Sequence, residues 1–301
     1  MNLTKIAEDR EEKQIDRLLR QAQHDPAFIE AFRGQFKGTV SLEQIIMKKY
    51  PNQVRGVAFS PDGKYVAAGC VDGFLRIYDF HRKKLTGEVK KGIKRGVHSI
   101  AFSADGKYIA IGSGEGALSI FGFDKKNLTK ILEKKGNRMI EALAFHPSGE
   151  YLAVEFPYEI HFFNFDGSDL TYSFKIKNRD HPSIHGLDFS PDGRYLAVAD
   201  MGSVKVLRFD MVNFPEVAKK NETKKSFWGL AFNPDGKHLA VSYFDGDIKI
   251  LKFNRNALYE VGTINPEPSV TVFDVSFSAD GKYLAAGDDY WHFRIFEVKQ
   301  K

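Results

Sequence analysis

The hydrophobic pattern of this chain is a unit of short apolar segments that recurs six times. The first copy, residues 54–80, reads VRGVAFSPDGKYVAAGCVDGFLRIYDF. Each copy carries one phenylalanine directly before a polar turn, at a spacing of 43 to 45 residues: Phe59, Phe102, Phe145, Phe189, Phe232 and Phe277. A constant period of this length is typical of a repeat fold.

Each unit predicts a strand, a tight turn and a second strand. In SPDG, Ser60 suits the first turn position, Pro61 fixes φ at the second, and Gly63 supplies a positive φ at the fourth. The following segment, YVAAGC in the first copy, is continuously apolar, which favours a strand buried on both faces. A third strand follows a second turn, and more polar fourth strands are expected around residues 85–90, 128–133, 170–176, 216–219 and 258–264.

Four strands in about 43 residues match one blade of a β-propeller. On the strength of FSPDGKYVAAGCVDGFLRIYD and its copies, residues 41–298 resemble the WD-repeat β-propeller family. The family's terminal Trp-Asp is replaced, for example by Tyr78-Asp79, and its Gly-His pair is missing throughout. The family's Asp-His-Ser-Trp network therefore cannot be assigned to this chain.

The two ends of the repeat array are complementary. The sixth unit has only three strands and ends at Val298, whereas residues 39–47 form an orphan strand before the first unit. Pairing the two removes two exposed sheet edges and closes the ring, and the alternative is that residues 39–47 are a linker. The sequence thus predicts an all-β fold, a six-bladed β-propeller of residues 39–301 closed by an N-terminal strand.

A short α-helical extension is predicted for residues 1–38. Asp25-Pro26 suits a helix start, and Phe28, Ile29 and Phe32 lie on one face of the helix that follows. This extension is expected to pack on the propeller or to dock a second partner.

Composition narrows the class of protein. The chain has 301 residues, of which 43% are hydrophobic, enough for one closed domain, and 44 basic against 39 acidic residues give a net charge of +5. Cys70 is the only cysteine, and no apolar run approaches the length needed to span a bilayer. These features lead us to expect a cytoplasmic protein that does not insert into membranes.

Three groups of residues are candidates for partner binding on one face, which we call the top face. In a propeller this face carries the connections between blades and the turns between second and third strands. The first group consists of aromatic residues in those turns: Phe156, Tyr158, Tyr243, Phe244, Tyr290 and Trp291. Exposed aromatics are enriched at interface hot spots, and the alternative is that they fold back over blade edges.

The second group is a partial crown of cations in the connections between blades. Its members are Lys90, Lys91, Arg95, Lys134, Lys135, Arg138, Lys224 and Lys225. Such a basic crown could receive an acidic protein segment or nucleic-acid phosphates, or it could serve only solubility.

The third group lies four residues before each repeated phenylalanine and consists of unlike side chains: Arg55, His98, Glu141, His185, Trp228 and Phe273. Their neighbours are expected to be small or aliphatic, which would place these residues at the mouth of the central channel. Drift at a solvated position is the alternative, and His98, Glu141 and His185 are conceivable metal ligands.

No catalytic, metal-binding or cofactor-binding motif accompanies these groups, so no cofactor is expected. The sequence favours a non-enzymatic scaffold that binds a protein or peptide segment on the top face, as the WD-repeat resemblance also implies. Nucleic-acid binding by the basic crown is the alternative, and a metal-dependent propeller hydrolase or lactonase is a further one.

Overall fold

The structure, a computed structural model, describes residues 40–178, 182–222, 226–267 and 269–300. These residues form 24 strands arranged as six four-stranded antiparallel sheets. The innermost strands contact one another in the closed order β2, β6, β10, β14, β18, β22 and back to β2. The predicted six-bladed propeller is therefore confirmed, whereas the predicted helical extension lies outside the described residues.

The first three blades each consist of four consecutive strands, from the channel outwards. Blade 1 contains β2 (Val54–Phe59), β3 (Tyr65–Cys70), β4 (Phe74–His81) and β5 (Lys84–Gly92). Blade 2 contains β6 (Val97–Phe102), β7 (Tyr108–Ser113), β8 (Ala117–Phe123) and β9 (Leu128–Lys135). Blade 3 contains β10 (Leu143–Phe145), β11 (Tyr151–Phe156), β12 (Glu159–Phe165) and β13 (Leu170–Lys177).

Blades 4 and 5 repeat this order, and blade 6 takes its outer strand from the other end of the chain. Blade 4 contains β14 (Ile184–Phe189), β15 (Tyr195–Asp200), β16 (Ser203–Arg208) and β17 (Glu216–Asn221). Blade 5 contains β18 (Phe227–Phe232), β19 (His238–Tyr243), β20 (Ile248–Phe253) and β21 (Leu258–Ile264). Blade 6 contains β22 (Val272–Phe277), β23 (Tyr283–Asp288), β24 (His292–Gln300) and β1 (Val40–Lys49).

Strand β1 closes the ring, as predicted. It pairs antiparallel with β24 from Val40 opposite Gln300 to Lys49 opposite His292, with one irregularity between Gln44 and Ile46. The register aligns two segments about 250 positions apart in sequence, so both sheet edges that a linear repeat array would expose are paired.

The SPDG turns form the bottom face and show the predicted chemistry. Gly63 has a φ of 68° and donates its N–H to the Ser60 carbonyl over 2.9 Å. The Ser60 hydroxyl also donates to Asp62 and accepts the N–H of Tyr65. The serine hydroxyl thus links the turn to the next strand, which explains why most copies retain it.

The core lies between neighbouring blades. One cluster joins Val57 and Val66 of blade 1 to Ala285 and Ile295 of blade 6, and five similar clusters follow around the ring. The second strands are buried on both faces, as their continuous apolar pattern predicts.

Buried ion pairs connect the second and third strands of three blades. An aspartate at or just beyond the end of a second strand pairs with a cation on the third strand: Asp72 with Arg76, Asp200 with Lys205, and Asp288 with Arg294. Because a buried charge is costly without a partner, these pairs hold the second strand against the third beside the top-face turns.

Candidate functional site

The connections between blades and the turns between second and third strands lie on one face, as predicted. Backbone hydrogen bonds link them directly: Ile93 N–H to Gly73 O over 2.7 Å, and Tyr50 N–H to Trp291 O over 2.8 Å. The top face is therefore a continuous surface, not a set of independent loops.

The six unlike residues of the inner strands meet at the centre of the top face. We call this set the mouth ring, and it lines a gap of only about 10 Å³: Arg55, His98, Glu141, His185, Trp228 and Phe273. A space of that size holds about one water molecule. The predicted convergence at the channel mouth is present, and the side chains themselves close the mouth.

Charged groups cross the mouth ring. The Arg55 guanidinium lies over the Phe273 ring at 4.3 Å, and its Nη1 lies 3.7 Å from Glu141 Oε1. The other carboxylate oxygen of Glu141 lies 2.8 Å from His185 Nδ1, a close contact that is not aligned as a hydrogen bond. Burial alone would raise the pKa of Glu141, but His185 and Arg55 together hold it below its ordinary value.

The remaining members supply aromatic and neutral groups. The Trp228 ring packs on His185 at 4.3 Å and edge-on against Phe273 at 5.1 Å. Burial, reinforced by the charge of Arg55, lowers the pKa of His98 to about 4, so its imidazole is neutral at physiological pH.

Four buried nitrogen atoms of the mouth ring lack a hydrogen-bond partner among the described residues. They are Nε1 of Trp228, which can only donate, Nδ1 of His98, and both ring nitrogens of His185. A buried polar group left unpaired costs about 1–3 kcal/mol. The mouth ring therefore favours an occupant, or water, that brings a hydrogen-bond acceptor to Trp228.

The top-face turns expose most of the predicted aromatic residues. Phe244 is 60% and Trp291 43% exposed, and Tyr158, Tyr290 and, to a lesser extent, Phe156 are also solvent-accessible. Tyr243 is a correction, because its side chain is 0% exposed and packs on Phe227 and under Lys249. Its position at the end of a second strand, before the turn, points it into the core.

Trp291 occupies a turn position that three other blades fill with glycine. Counted from the start of the second strand, it corresponds to Gly73, Gly116 and Gly246. Its φ of 75° matches their values of 88°, 82° and 89°. A bulky residue in this left-handed region is an outlier that costs of order 1 kcal/mol or more. The fold does not require tryptophan here, since glycine makes the same turn without strain.

Comparison with known families completes this picture. A family model described as "Cytochrome D1 heme domain" matches residues 49–226, more than half of the chain. A model described as "WD domain, G-beta repeat" matches residues 218–251 and 260–296. The chain belongs to the WD-repeat β-propeller family. Over residues 49–226 it also belongs to the family that the Cytochrome D1 heme domain model describes.

The WD-repeat matches are displaced from the blades by one strand. The segment 218–251 begins in the outer strand of blade 4 and ends in the third strand of blade 5. The sequence repeat thus spans a blade boundary, which is why this WD-repeat propeller needs β1 from the opposite end of the chain to complete its last blade.

The residues of the channel do not fit a haem, which the Cytochrome D1 match would imply. Haem iron is held by His, Cys, Met or Tyr, and of these types the described channel wall contributes His98 and His185 alone. The ring of His185 is packed between Glu141 and Trp228. The contacts within the mouth ring leave no slot for a planar macrocycle, although the match leaves an enzymatic role open.

The same geometry bears on the metal hypothesis for His98, Glu141 and His185. These side chains converge, but among the described residues no group of three or more His, Cys, Asp or Glu side chains is arranged to hold a metal ion. No membrane-spanning helix occurs in the described part of this WD-repeat propeller either.

The basic crown is partly neutralised. Lys90 lies over the Phe74 ring at 3.9 Å, Arg95 pairs with Glu115, and Lys134 lies 3.0 Å from Asp169. Lys91 is half-buried, and Lys135 and Arg138 are exposed. Lys224 and Lys225 lie outside the described residues. A role of the crown in binding stays a prediction.

Sequence reasoning missed two carboxylates in the channel below the mouth ring. Asp188 and Asp274 both line this lower channel. The expectation of small or aliphatic neighbours is wrong at these positions, because Asp188 stands where most copies have alanine, and Asp274 where others have Gly, Ser or Ala. Both aspartates stand out when the six copies of the inner strand are aligned: VRGVAF, VHSIAF, IEALAF, IHGLDF, FWGLAF and VFDVSF.

Proposed function

We propose that this WD-repeat propeller is a non-enzymatic interaction platform that binds a protein segment on its top face. The observation that carries the proposal is Trp291, which is 43% exposed and holds a left-handed φ where three other blades use glycine. Strained residues are enriched at functional sites. An exposed, positioned tryptophan is also the residue type most enriched at binding hot spots.

The surroundings of Trp291 support a binding surface. Tyr290 lies beside it in the same turn, and the Lys49 ammonium lies 5.3 Å from the centre of the Trp291 ring. Phe244 extends the exposed aromatic surface to the neighbouring blade 5. Apolar groups flanked by a cation suit a peptide that carries both apolar and acidic side chains.

The mouth ring defines a second requirement on the partner. The unpaired Trp228 N–H favours an acceptor such as a main-chain carbonyl or a carboxylate. The Arg55 guanidinium beside Glu141 offers further polar contacts at the same level. The partner segment is therefore expected to cross the channel mouth and to place an acceptor over Trp228.

The test is selection of peptides from a displayed library on the full-length chain, followed by calorimetric titration of the selected peptides. Trp291→Gly should lower their affinity at least about tenfold, which is 1.4 kcal/mol, while the turn is kept because glycine is the residue used in three other blades. Val212→Ser is the matched control, since Val212 is 75% exposed in the β16–β17 turn on the bottom face. Selected peptides that bind both variants as they bind the wild type would overturn the proposal.

The nucleic-acid alternative is tested by the same titration with an oligonucleotide in place of the peptide. If the partner is nucleic acid, the affinity for an oligonucleotide should fall steeply with salt. Charge reversal of Lys91, Lys135 and Arg138 should abolish this binding, whereas Trp291→Gly should retain it. These results would favour nucleic acid over a protein segment as the partner.

A further inference from the structure

The channel below the mouth ring is a cavity of about 330 Å³. Its upper end is formed by Glu141 and His185, and its lower end reaches the bottom turns at Pro61, Pro147 and Pro191. The closed mouth ring separates it from the top face. Its volume lies at the lower end of the range of small-molecule pockets.

Two acidic side chains stand in the wall of this cavity. Asp188 of blade 4 accepts the N–H of Phe232 in blade 5 over 2.7 Å, and Asp274 of blade 6 accepts the N–H of Val57 in blade 1 over 2.8 Å. Both are partly accessible from the channel. Each links two blades, but an ionised carboxylate has about four acceptor sites, so these links leave acceptor capacity towards the cavity.

The hydrogen bond between blades does not explain why Asp188 is a charged residue. Ser276 of blade 6 occupies the position equivalent to Asp188, and its hydroxyl accepts the N–H of Phe59, the equivalent of Phe232, over 3.0 Å. A neutral serine therefore makes the same connection. Four other blades have alanine at this position and need no link at all.

The imidazole of His185 is a third polar group in the wall of the cavity. His185 is 8% exposed, lines the cavity, and has no hydrogen-bond partner at Nε2 among the described residues. Its Nδ1 lies 2.8 Å from the Glu141 carboxylate, which favours the proton on Nδ1 and the lone pair on Nε2. The upper end of the cavity thus offers an unused acceptor above the two carboxylates.

We propose that this channel binds an organic ammonium compound, which enters from the bottom face and donates hydrogen bonds to acceptors among Asp188, Asp274 and His185. The acidic side chains in its lining are Glu141, Asp188 and Asp274, and the described residues provide no three-ligand arrangement for a metal ion. The inference goes beyond the proposed function, since it concerns the cavity below the mouth ring and not the top face, and either can fail without the other.

The test is calorimetric titration of the full-length protein with 1,4-diaminobutane at pH 8.5, where ionised Asp188 and Asp274 carboxylates are favoured. The diol of the same length, 1,4-butanediol, controls for shape without charge. A short peptide with one central lysine distinguishes a lysine side chain from a free amine as the source of the ammonium group. We expect the diamine or the peptide to bind, and the diol not to bind.

Matched variants separate binding from the structural link. Asp188→Ser restores the connection seen at Ser276 and should weaken ammonium binding at least about tenfold, or 1.4 kcal/mol, with an unfolding midpoint no lower than that of the wild type. Ser276→Ala removes a link without removing charge and should lower the midpoint while leaving affinity within about twofold. Failure of both probes to bind the wild type at concentrations up to about 10 mM, or unchanged affinity in Asp188→Ser, would overturn the inference.

Discussion

The two faces of the ring differ in how closely their turns repeat from blade to blade. On the bottom face, the turn between first and second strands is nearly the same in all six blades, with a glycine at a φ of 66° to 80° in each. On the top face, the corresponding turns carry Gly73, Gly116 and Gly246 but also Trp291, and the exposed aromatics lie in blades 3, 5 and 6. The repeated chemistry makes the scaffold, and the departures from it mark the surfaces proposed to bind.

The largest expected effect tests whether the repeated units suffice for the scaffold. Deletion of residues 1–49 removes β1, including buried Val40, and exposes the edge of β24. We expect the free energy of unfolding to fall by more than about 5 kcal/mol, a large part of the total stability of a domain. Chemical denaturation measures it.

Deletion of residues 1–36 is the control and should leave cooperative unfolding intact. Equal loss in the two deletion variants would show that β1 is not what closes the ring, and the division between repeated scaffold and variable surface would need revision.

An intermediate effect comes from the channel, where departures from the repeat are buried. Burial raises the pKa of Asp188 to about 7 and of Asp274 to about 8. Between their ordinary values near 3.8 and these values the folded state holds protons that the unfolded state has released, so stability decreases as pH rises through this window. His98 has the opposite effect on stability below pH 6.5. Its pKa is lowered in the folded state, so the unfolded state binds more protons there and stability rises with pH.

The window from pH 6.5 to 8 therefore isolates the carboxylates. Wild-type stability should fall by about 2–3 kcal/mol across it, at 1.36 kcal/mol per unit of pH for each fully titrating group. In the double variant Asp188→Asn/Asp274→Asn the fall in stability should be smaller. The fall that remains comes from Glu155, because burial raises its pKa to about 7. Denaturation at both pH values measures the slopes, and parallel slopes would show that these carboxylates titrate normally.

The smallest effect compares the two faces directly. Gly63→Ala forces a side chain into a φ of 68° on the bottom face and should cost about 1 kcal/mol. Trp291→Gly relieves the same type of strain on the top face, so it should leave stability unchanged or raise it by up to about 1 kcal/mol. Opposite signs in thermal unfolding would sharpen the contrast, whereas a destabilised Trp291→Gly would make Trp291 a structural residue.

The candidate site was predictable where it depends on the period of the repeat. Comparing copies placed Arg55, His98, Glu141, His185, Trp228 and Phe273 at one level, and they do line one gap. The same comparison failed for Tyr243, because the last residue of a strand and the first residue of a turn differ in direction and not in composition. Asp188 and Asp274 were missed although the copies contain the signal, since the mouth was taken to be the only variable level of the channel.

The sequence by itself determined the number of blades, the tight turns and the closing strand. These features follow from local physics: two-residue alternation and continuous apolar segments define strands, glycine permits a positive φ, and an unpaired edge at each end calls for a partner. What only the tertiary structure decided is how side chains of different blades meet across the channel. The contact of Glu141 with His185, the closure of the mouth and the acceptor-lined cavity beneath it depend on distances between strands more than 40 residues apart, which ring curvature sets and no local pattern records.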